Sequence, residues 1–193
     1  MPLPRPLTPT SRIAVAAPAS VPVDVADTRA GLAALEREGL RVETAFDPHR
    51  RVGYLAADDA DRADALNALL RRDDLDAVLC VRGGYGLLRI LDRIDYAAAR
   101  AHPKLVVGYS DITALHLALY RHAGLPGLSG AMAAPDWGVG LDAETRRQFW
   151  AVAGGAAGYD VVGPGGEALA PLREGLAEGV LLGGNLALTA ALV

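Results

Sequence analysis

Short apolar runs alternate along this chain with longer segments whose apolar positions recur every three or four residues, a pattern that predicts interleaved strands and helices. After a Pro-rich, extended lead-in over residues 2–11, Arg12 to Ala17 reads as a first strand running into Pro18-Ala19-Ser20. From Asp24 to Glu38, Val25, Leu32 and Leu35, with small Ala26, Ala30 and Ala33, fit a helix closed by Gly39. Arg41 to Phe46 is the second strand, and the loop 47–57 leads to a helix over Asp59 to Arg72. That helix carries acids in its first turn and Arg71-Arg72 in its last, matching the helix dipole. A third strand, Asp76 to Val81, runs into Arg82-Gly83-Gly84-Tyr85-Gly86, followed by helical turns at Leu87 to Leu91 and Tyr96 to Ala101. Leu105 to Val107 is a buried fourth strand. The helix after it, Asp111 to His122, puts Ile112, Leu115, Ala118 and Leu119 on one face and Thr113, His116 and Tyr120 on the other. A short strand or turn near Gly127 to Met132 and a helix over Asp142 to Val152 complete the pattern. It predicts an α/β fold: a doubly wound parallel sheet with helices on both faces.

The pattern changes at Gly154. From there to Gly166 the chain is Gly-rich and contains Pro164, so the expected organisation is an α/β domain over 1–153 and an inter-domain linker over 154–175. Residues 176–193 then read as the start of a second, incomplete domain, because the apolar helix start Leu186 to Val193 stops without a cap or polar tail.

Composition narrows the function classes. With 51% hydrophobic residues the chain can bury a substantial core, and the net charge of -4 with scattered arginines forms no basic stripe, which argues against nucleic acid as a partner. A single cysteine, Cys80, excludes an intrachain disulfide and a multi-cysteine metal site. The N-terminus has no apolar signal region and no segment reaches membrane-spanning length, so the reading is a cytoplasmic chain without a membrane partner.

The chemistry centres on Lys104 to Thr113. Ser110 falls where the fourth strand turns into its helix, an elbow that lifts a hydroxyl out of the sheet beside the first free helix amides. The pattern is G-x-S without the second glycine of G-x-S-x-G, so a nucleophile and a plain helix N-cap both fit. Arg82-Gly83-Gly84 leaves the third strand at the same edge, where ligands bind in doubly wound sheets. The backbone N–H groups of Gly84 and Asp111 could there hold an oxyanion, the alternative for the glycines being a tight turn.

No histidine is well placed as the base. His116 lies about 240° around the helix and ~9 Å along it from Ser110, and His122 is at the far end. His102 and Lys104 precede the strand, roughly 20 Å from the elbow at strand rise. His49 is at the correct edge but in a loop. Cys80 reads as core, and the aspartates at 58, 59 and 61 and at 73, 74 and 76 as turn acids without calcium-loop spacing. Arg82 fits a substrate carboxylate or a structural ion pair; Tyr85 and Trp137 fit a peptide cleft or packing.

Taken together, these blocks resemble the N-terminal part of the LD-carboxypeptidase family, serine peptidases that include murein tetrapeptide carboxypeptidases and microcin C immunity peptidases. The residues concerned are Ala17-Pro18-Ala19-Ser20, Asp59 to Leu69, Arg82 to Gly86, Pro103-Lys104 with Gly108 to His116, and Gly183-Gly184-Asn185-Leu186. The resemblance implies a flavodoxin-like domain supplying Ser110 as nucleophile, with Gly84 and Asp111 as oxyanion hole and Arg82, Gly83 and Tyr85 on the substrate side. It implies no metal or cofactor, a muropeptide substrate, a homodimer, and a Ser-His-Glu triad whose His and Glu come from a C-terminal domain. Two departures stand out. The chain stops after the Gly-Gly-Asn-Leu block, before the positions of that His and Glu, so these residues alone are expected to be inactive. Ser129 also stands where members often carry a histidine in an H-G-P turn. The expectation is hydrolysis of the amide between an L-centre and a terminal D-amino acid; the alternatives are a peptidyl-nucleotide amide hydrolase or a non-catalytic binding fragment.

Overall fold

The computed structural model describes residues 3–156, 158, 167–176, 178–180 and 182–192. Residues 157 and 159–166 of the expected linker, and 177, 181 and 193 of the segment after it, lie outside the described residues.

Four parallel strands, β1 (Arg12–Ala16), β2 (Arg41–Thr44), β3 (Ala77–Cys80) and β4 (Leu105–Val107), form a sheet in the order β2-β1-β3-β4. Register pairs Ile13 with Val42 and with Ala77, and Ala77 in turn with Leu105. The expected strand near 127–132 is a single parallel bridge, Leu128 to Val107, which continues the sheet beyond β4. The helices are α1 (Val25–Arg37), α2 (Asp59–Leu70), α3 (Tyr96–Ala101), α4 (Ile112–Ala123), α5 (Ala143–Ala153) and α6 (Leu186–Ala191). Asp24, Asp58, Asp95, Asp142 and Asn185 cap α1, α2, α3, α5 and α6 through side-chain oxygens, which is why those helices begin there.

Strand alternation divides the core in two. Ala14, Val78 and Val106 face the layer of α2, α3 and α4, where Leu66, Leu70, Ala99, Leu115 and Leu119 pack. Ile13, Val15, Leu79 and Val107 face α1 and α5, against Leu35, Phe149 and Ala153. The chain moves outward from β1 to β2 and then back across β1 to β3, so right-handed crossovers put α1 and α2 on opposite faces. The loops leaving β1 and β3 therefore diverge at the centre of the sheet, the switch point where such folds bind ligands.

Some local expectations are revised. The buried stripe of α1 is Thr28, Gly31 and Leu35, whereas Ala26, Ala30 and Ala33 are exposed. A Cβ on Gly31 would overlap the Ala133 carbonyl, so only glycine lets α1 press against the π-turn Ala133–Trp137. Arg71 and Arg72 lie past the end of α2 and pair with Asp95 and with Glu43 and Asp74. Trp137 is buried edge-to-face on Phe149, 5.3 Å between centroids, which assigns it to packing. Thr113, expected on the polar face of α4, is 2% exposed.

Two cations serve the fold. Lys104 is buried, and its ammonium donates to the Leu70 carbonyl at the end of α2 (2.9 Å) and to that of His102 (2.6 Å). Burial, with Arg5 adding repulsion, lowers it to about 8. Arg146 grips Glu38 with both nitrogens while Trp150 Nε1 donates to the same carboxylate (2.9 Å), joining α5 to the end of α1.

His116 gives the fold a pH signature. Its Nε2–H donates to the Val106 carbonyl (3.0 Å), and burial pushes the imidazole down to about 4, although that bond pulls it up. Between that value and about 6.5 the unfolded chain binds the extra proton, so unfolding free energy rises with pH across this window. Urea midpoints measured from pH 4 to 7 are expected to show this rise, and His116→Gln, which keeps a donor but cannot titrate, is expected to flatten it.

Candidate active site

β4 ends at Val107 and α4 begins at Ile112, so Gly108-Tyr109-Ser110-Asp111 must turn the chain within one elbow. Ser110 makes that turn with φ +60°, the single non-glycine residue at positive φ among those described. Such a backbone costs an ordinary residue about 1–3 kcal/mol and persists where the surroundings over-determine it. The Ser110 hydroxyl makes no hydrogen bond to the described residues, and it lines a cleft of about 400 Å³.

The loop leaving β3 lies directly against the elbow. A Cβ on Gly83 would stand 3.0 Å from Ser110 Cβ, 3.1 Å from the Tyr109 carbonyl oxygen and 3.3 Å from the Asp111 nitrogen, so a side chain there would force the two loops apart. Gly84 has φ +105°, and a Cβ on it would overlap the Ser20 side chain. Neither the Gly84 nor the Asp111 amide donates to an acceptor among the described residues. Ser110, Gly83, Gly84, Tyr85, Arg82 and Asp111 thus all come together as lining of one cleft, with Met132, Pro135 and Asn185 completing it.

The remaining candidates are distributed as chemistry would require of structural groups. The Asp111 carboxylate is buried and accepts from the Leu87 amide (3.0 Å); burial raises its pKa, against the pull of that bond and of Arg62. Arg82 lines the cleft and donates to the Val21 carbonyl (3.1 Å), with no ion pair among the described residues. Tyr85 is 73% exposed and meets Tyr54 edge-on at 6.0 Å. Cys80 is buried and its thiol is pushed up to about 12 by burial first and the Asp111 charge second, as suits a core residue. No histidine lines the cleft: His116 is held by Val106, His122 packs on Tyr96 at 4.7 Å, His102 precedes β4, and His49 is exposed in the loop after β2. Ser129 is exposed and belongs to other surface hollows. Among the described residues no group of three or more His, Cys, Asp or Glu could hold a metal ion, and no helix is long and apolar enough to cross a membrane.

Residues 13–130, which contain both the glycine loop and the elbow, match the family profile described as LD-carboxypeptidase N-terminal domain. The chain belongs to this family. It is 44% identical over 193 residues to a putative carboxypeptidase of Streptomyces coelicolor, covering 96% of this chain and 59% of that protein. It is 37% identical over 195 residues to a probable murein peptide carboxypeptidase of Bacillus subtilis, covering 96% and 57%. The chain therefore spans less than two thirds of the length of these curated relatives. Its fold matches that of the microcin C7 self-immunity protein in the wild-type apo state with a TM-score of 0.85 at 22% identity, covering 100% of this chain and 65% of the other.

Three supports of this cleft escape the sequence reading. Arg62 is buried in α2 and donates to the carbonyls of Pro18 (2.6 Å), Gly86 (3.1 Å) and Ala57 (3.3 Å), with Asp59 closing its remaining edge (2.5 Å). The signal was available: Arg62 is in register with Leu66 and Leu69 on the apolar face of the helix. Ser20 donates its N–H to the Gly83 carbonyl (3.2 Å) and accepts the Tyr85 N–H at Oγ (3.1 Å). Thr113 Oγ1 accepts from the Asn185 amide (3.0 Å), and Gly184 packs so closely on Thr113 that a Cβ would collide, which seats the Gly-Gly-Asn-Leu block on α4.

Two stability outcomes follow. Arg62→Lys leaves a point charge where a fork served three carbonyls, and is expected to cost about 2 kcal/mol or more in denaturant unfolding. Ser110→Gly removes the penalty of a side chain at positive φ and is expected to raise stability by roughly 1 kcal/mol in the same measurement.

Proposed function

We propose that this chain is the nucleophile-bearing part of a serine LD-carboxypeptidase. Its protein would hydrolyse the amide between an L-centre, the diamino acid of a muropeptide stem, and a terminal D-amino acid. The observation that carries the reading is the strained, unbonded Ser110 opening on a cleft beside two amides without acceptors. A hydroxyl held at energetic cost, with no structural bond to justify it, is what nucleophilic attack requires.

In the proposed sequence Ser110 Oγ attacks the scissile carbonyl carbon as its proton passes to a histidine base. The carbonyl oxygen takes up the electron pair and is held by the N–H groups of Gly84 and Asp111. Collapse expels the amine of the D-amino acid, which takes the proton from the histidine, and water then releases the acyl group from Ser110 by the same steps. Arg82, Gly83 and Tyr85 line the substrate side. The cleft holds no histidine, so the base and the Glu that orients it would come from sequence beyond these 193 residues, and the reading expects no turnover from these residues alone. The cytoplasmic location and homodimer implied by the family resemblance belong to the same proposal.

Support for the murein substrate over a peptidyl-nucleotide comes from identity of 37% across 96% of this chain to the Bacillus subtilis protein, whereas the sequence likeness to the microcin C7 self-immunity protein of Escherichia coli is 30% across 56% of it. The test uses the full-length native polypeptide with a murein tetrapeptide. Release of D-alanine is expected, with a loss of at least about a thousandfold in kcat for Ser110→Ala. Undiminished release by that variant removes Ser110 from the chemistry, and cleavage of an aminoacyl sulfamoyl nucleoside in place of the muropeptide moves the activity to the alternative substrate.

A further inference from the structure

The two bonds made by Ser20 bracket the Gly84 amide. A trans peptide is planar, with its C=O and N–H pointing in opposite directions. The peptide joining Gly83 to Gly84 has its carbonyl turned toward Ser20, whose N–H it accepts at 3.2 Å. The Gly84 N–H at the other end of that plane is consequently turned away from Ser20. The elbow lies close to this peptide: a Cβ on Gly83 would stand 3.0 Å from Ser110 Cβ and 3.3 Å from the Asp111 nitrogen, and Gly84 lines the same cleft as Ser110. The next amide, that of Tyr85, is taken up by Ser20 Oγ at 3.1 Å, so it cannot compete for the same ligand atom. Ser20 is 2% exposed, and Gly84 rests against its side chain with no room for a Cβ, so the three groups are closely packed. Both strands of this clasp are anchored outside it: Arg62 bonds the carbonyls of Pro18 and Gly86, which flank the two loops, and Arg82 bonds Val21.

We propose that Ser20 is a positioning residue for catalysis: by holding the Gly83 carbonyl and the Tyr85 amide it aims the Gly84 N–H at the oxygen that becomes negative during attack by Ser110. The inference rests on the peptidase reading and deepens it. Ser20 touches neither substrate nor nucleophile and acts through the direction of one peptide plane. An N–H aimed at an oxyanion binds the transition state better than the substrate, so misaiming it lowers kcat and leaves KM in place.

The experiment compares wild type and Ser20→Ala in the full-length native polypeptide. Alanine keeps the backbone N–H and removes the Oγ acceptor. Deleting an oxyanion donor outright costs about 10²–10³ in kcat, and releasing one clasp of an intact donor is expected to cost about tenfold. KM for the murein tetrapeptide is expected to stay within about twofold, and affinity for a boronate analogue, which forms a tetrahedral adduct on Ser110, to fall by the same factor as kcat/KM. A variant with wild-type kcat, or one whose loss lies in KM with boronate affinity unchanged, overturns the inference while leaving the peptidase reading standing. A wild-type protein that folds but releases no D-alanine and binds no boronate brings down the peptidase reading and the inference with it. Ser20→Gly serves as a second variant: it also keeps the N–H and lacks the acceptor, so the same kcat loss is expected without dependence on the alanine methyl.

Discussion

The buried guanidinium of Arg62 is the interaction on which the site depends. It is a charge removed from water, and such a group is tolerated where several oxygens surround it. Here the carbonyls of Pro18, Gly86 and Ala57 and the Asp59 carboxylate do so. Each carbonyl belongs to a loop at the carboxyl edge of the sheet, where no strand ladder is left to satisfy it. A planar fork with five donors in fixed directions can serve three loops from one helix position, which a lysine ammonium or a bound water does less rigidly. The loops after β1 and β3 are thereby joined through one guanidinium, independently of their contacts with the elbow.

On that base the elbow carries its strain. Ser110 is held at positive φ between a strand it cannot leave and α4, whose first turn is anchored by buried Ile112 and Thr113. The glycines opposite are a matter of space as much as of conformation, because a side chain on Gly83 would meet Ser110 and one on Gly84 would meet Ser20. The small residues of the loop and the strained serine therefore explain each other: close approach of two backbones leaves no room for side chains, and the Gly84 and Asp111 N–H groups have no acceptor among the described residues. Asp111 contributes differently. Its carboxylate turns inward to the Leu87 amide, tying the start of α4 to the end of the glycine loop, while its own N–H has no acceptor among the described residues.

The Gly-Gly-Asn-Leu block shows how a segment distant in sequence joins the same cleft. Thr113 in the first turn of α4 receives the Asn185 amide, and Asn185 in turn caps the short α6 with its side chain. A threonine that an amphipathic reading places on the outer face of α4 is buried because this block covers it. The cleft is therefore lined on one side by Asn185, Ala187 and Leu188, so its shape depends on this late segment as well as on the sheet.

What the sequence by itself determined is the part of this protein governed by local physics. Apolar runs and helical periodicity located the four strands and the main helices, and the order of elements implied parallel pairing with helices on both faces. Adjacency of the glycine loop and Ser110 also followed, because consecutive parallel strands present their carboxyl ends at one edge. Tertiary structure decided what depends on partners far away along the chain. Arg62 reaches Pro18 across 44 residues and Ser20 reaches Tyr85 across 65, and neither bond has a periodic signature. The burial of Thr113 and Lys104 and the use of Gly31 and Trp137 in packing belong to the same class, since each is set by which surface arrives opposite. Hydrophobic patterning is a property of neighbours in sequence, whereas satisfaction of a buried polar group is a property of neighbours in space, and the second exists only once the chain has folded.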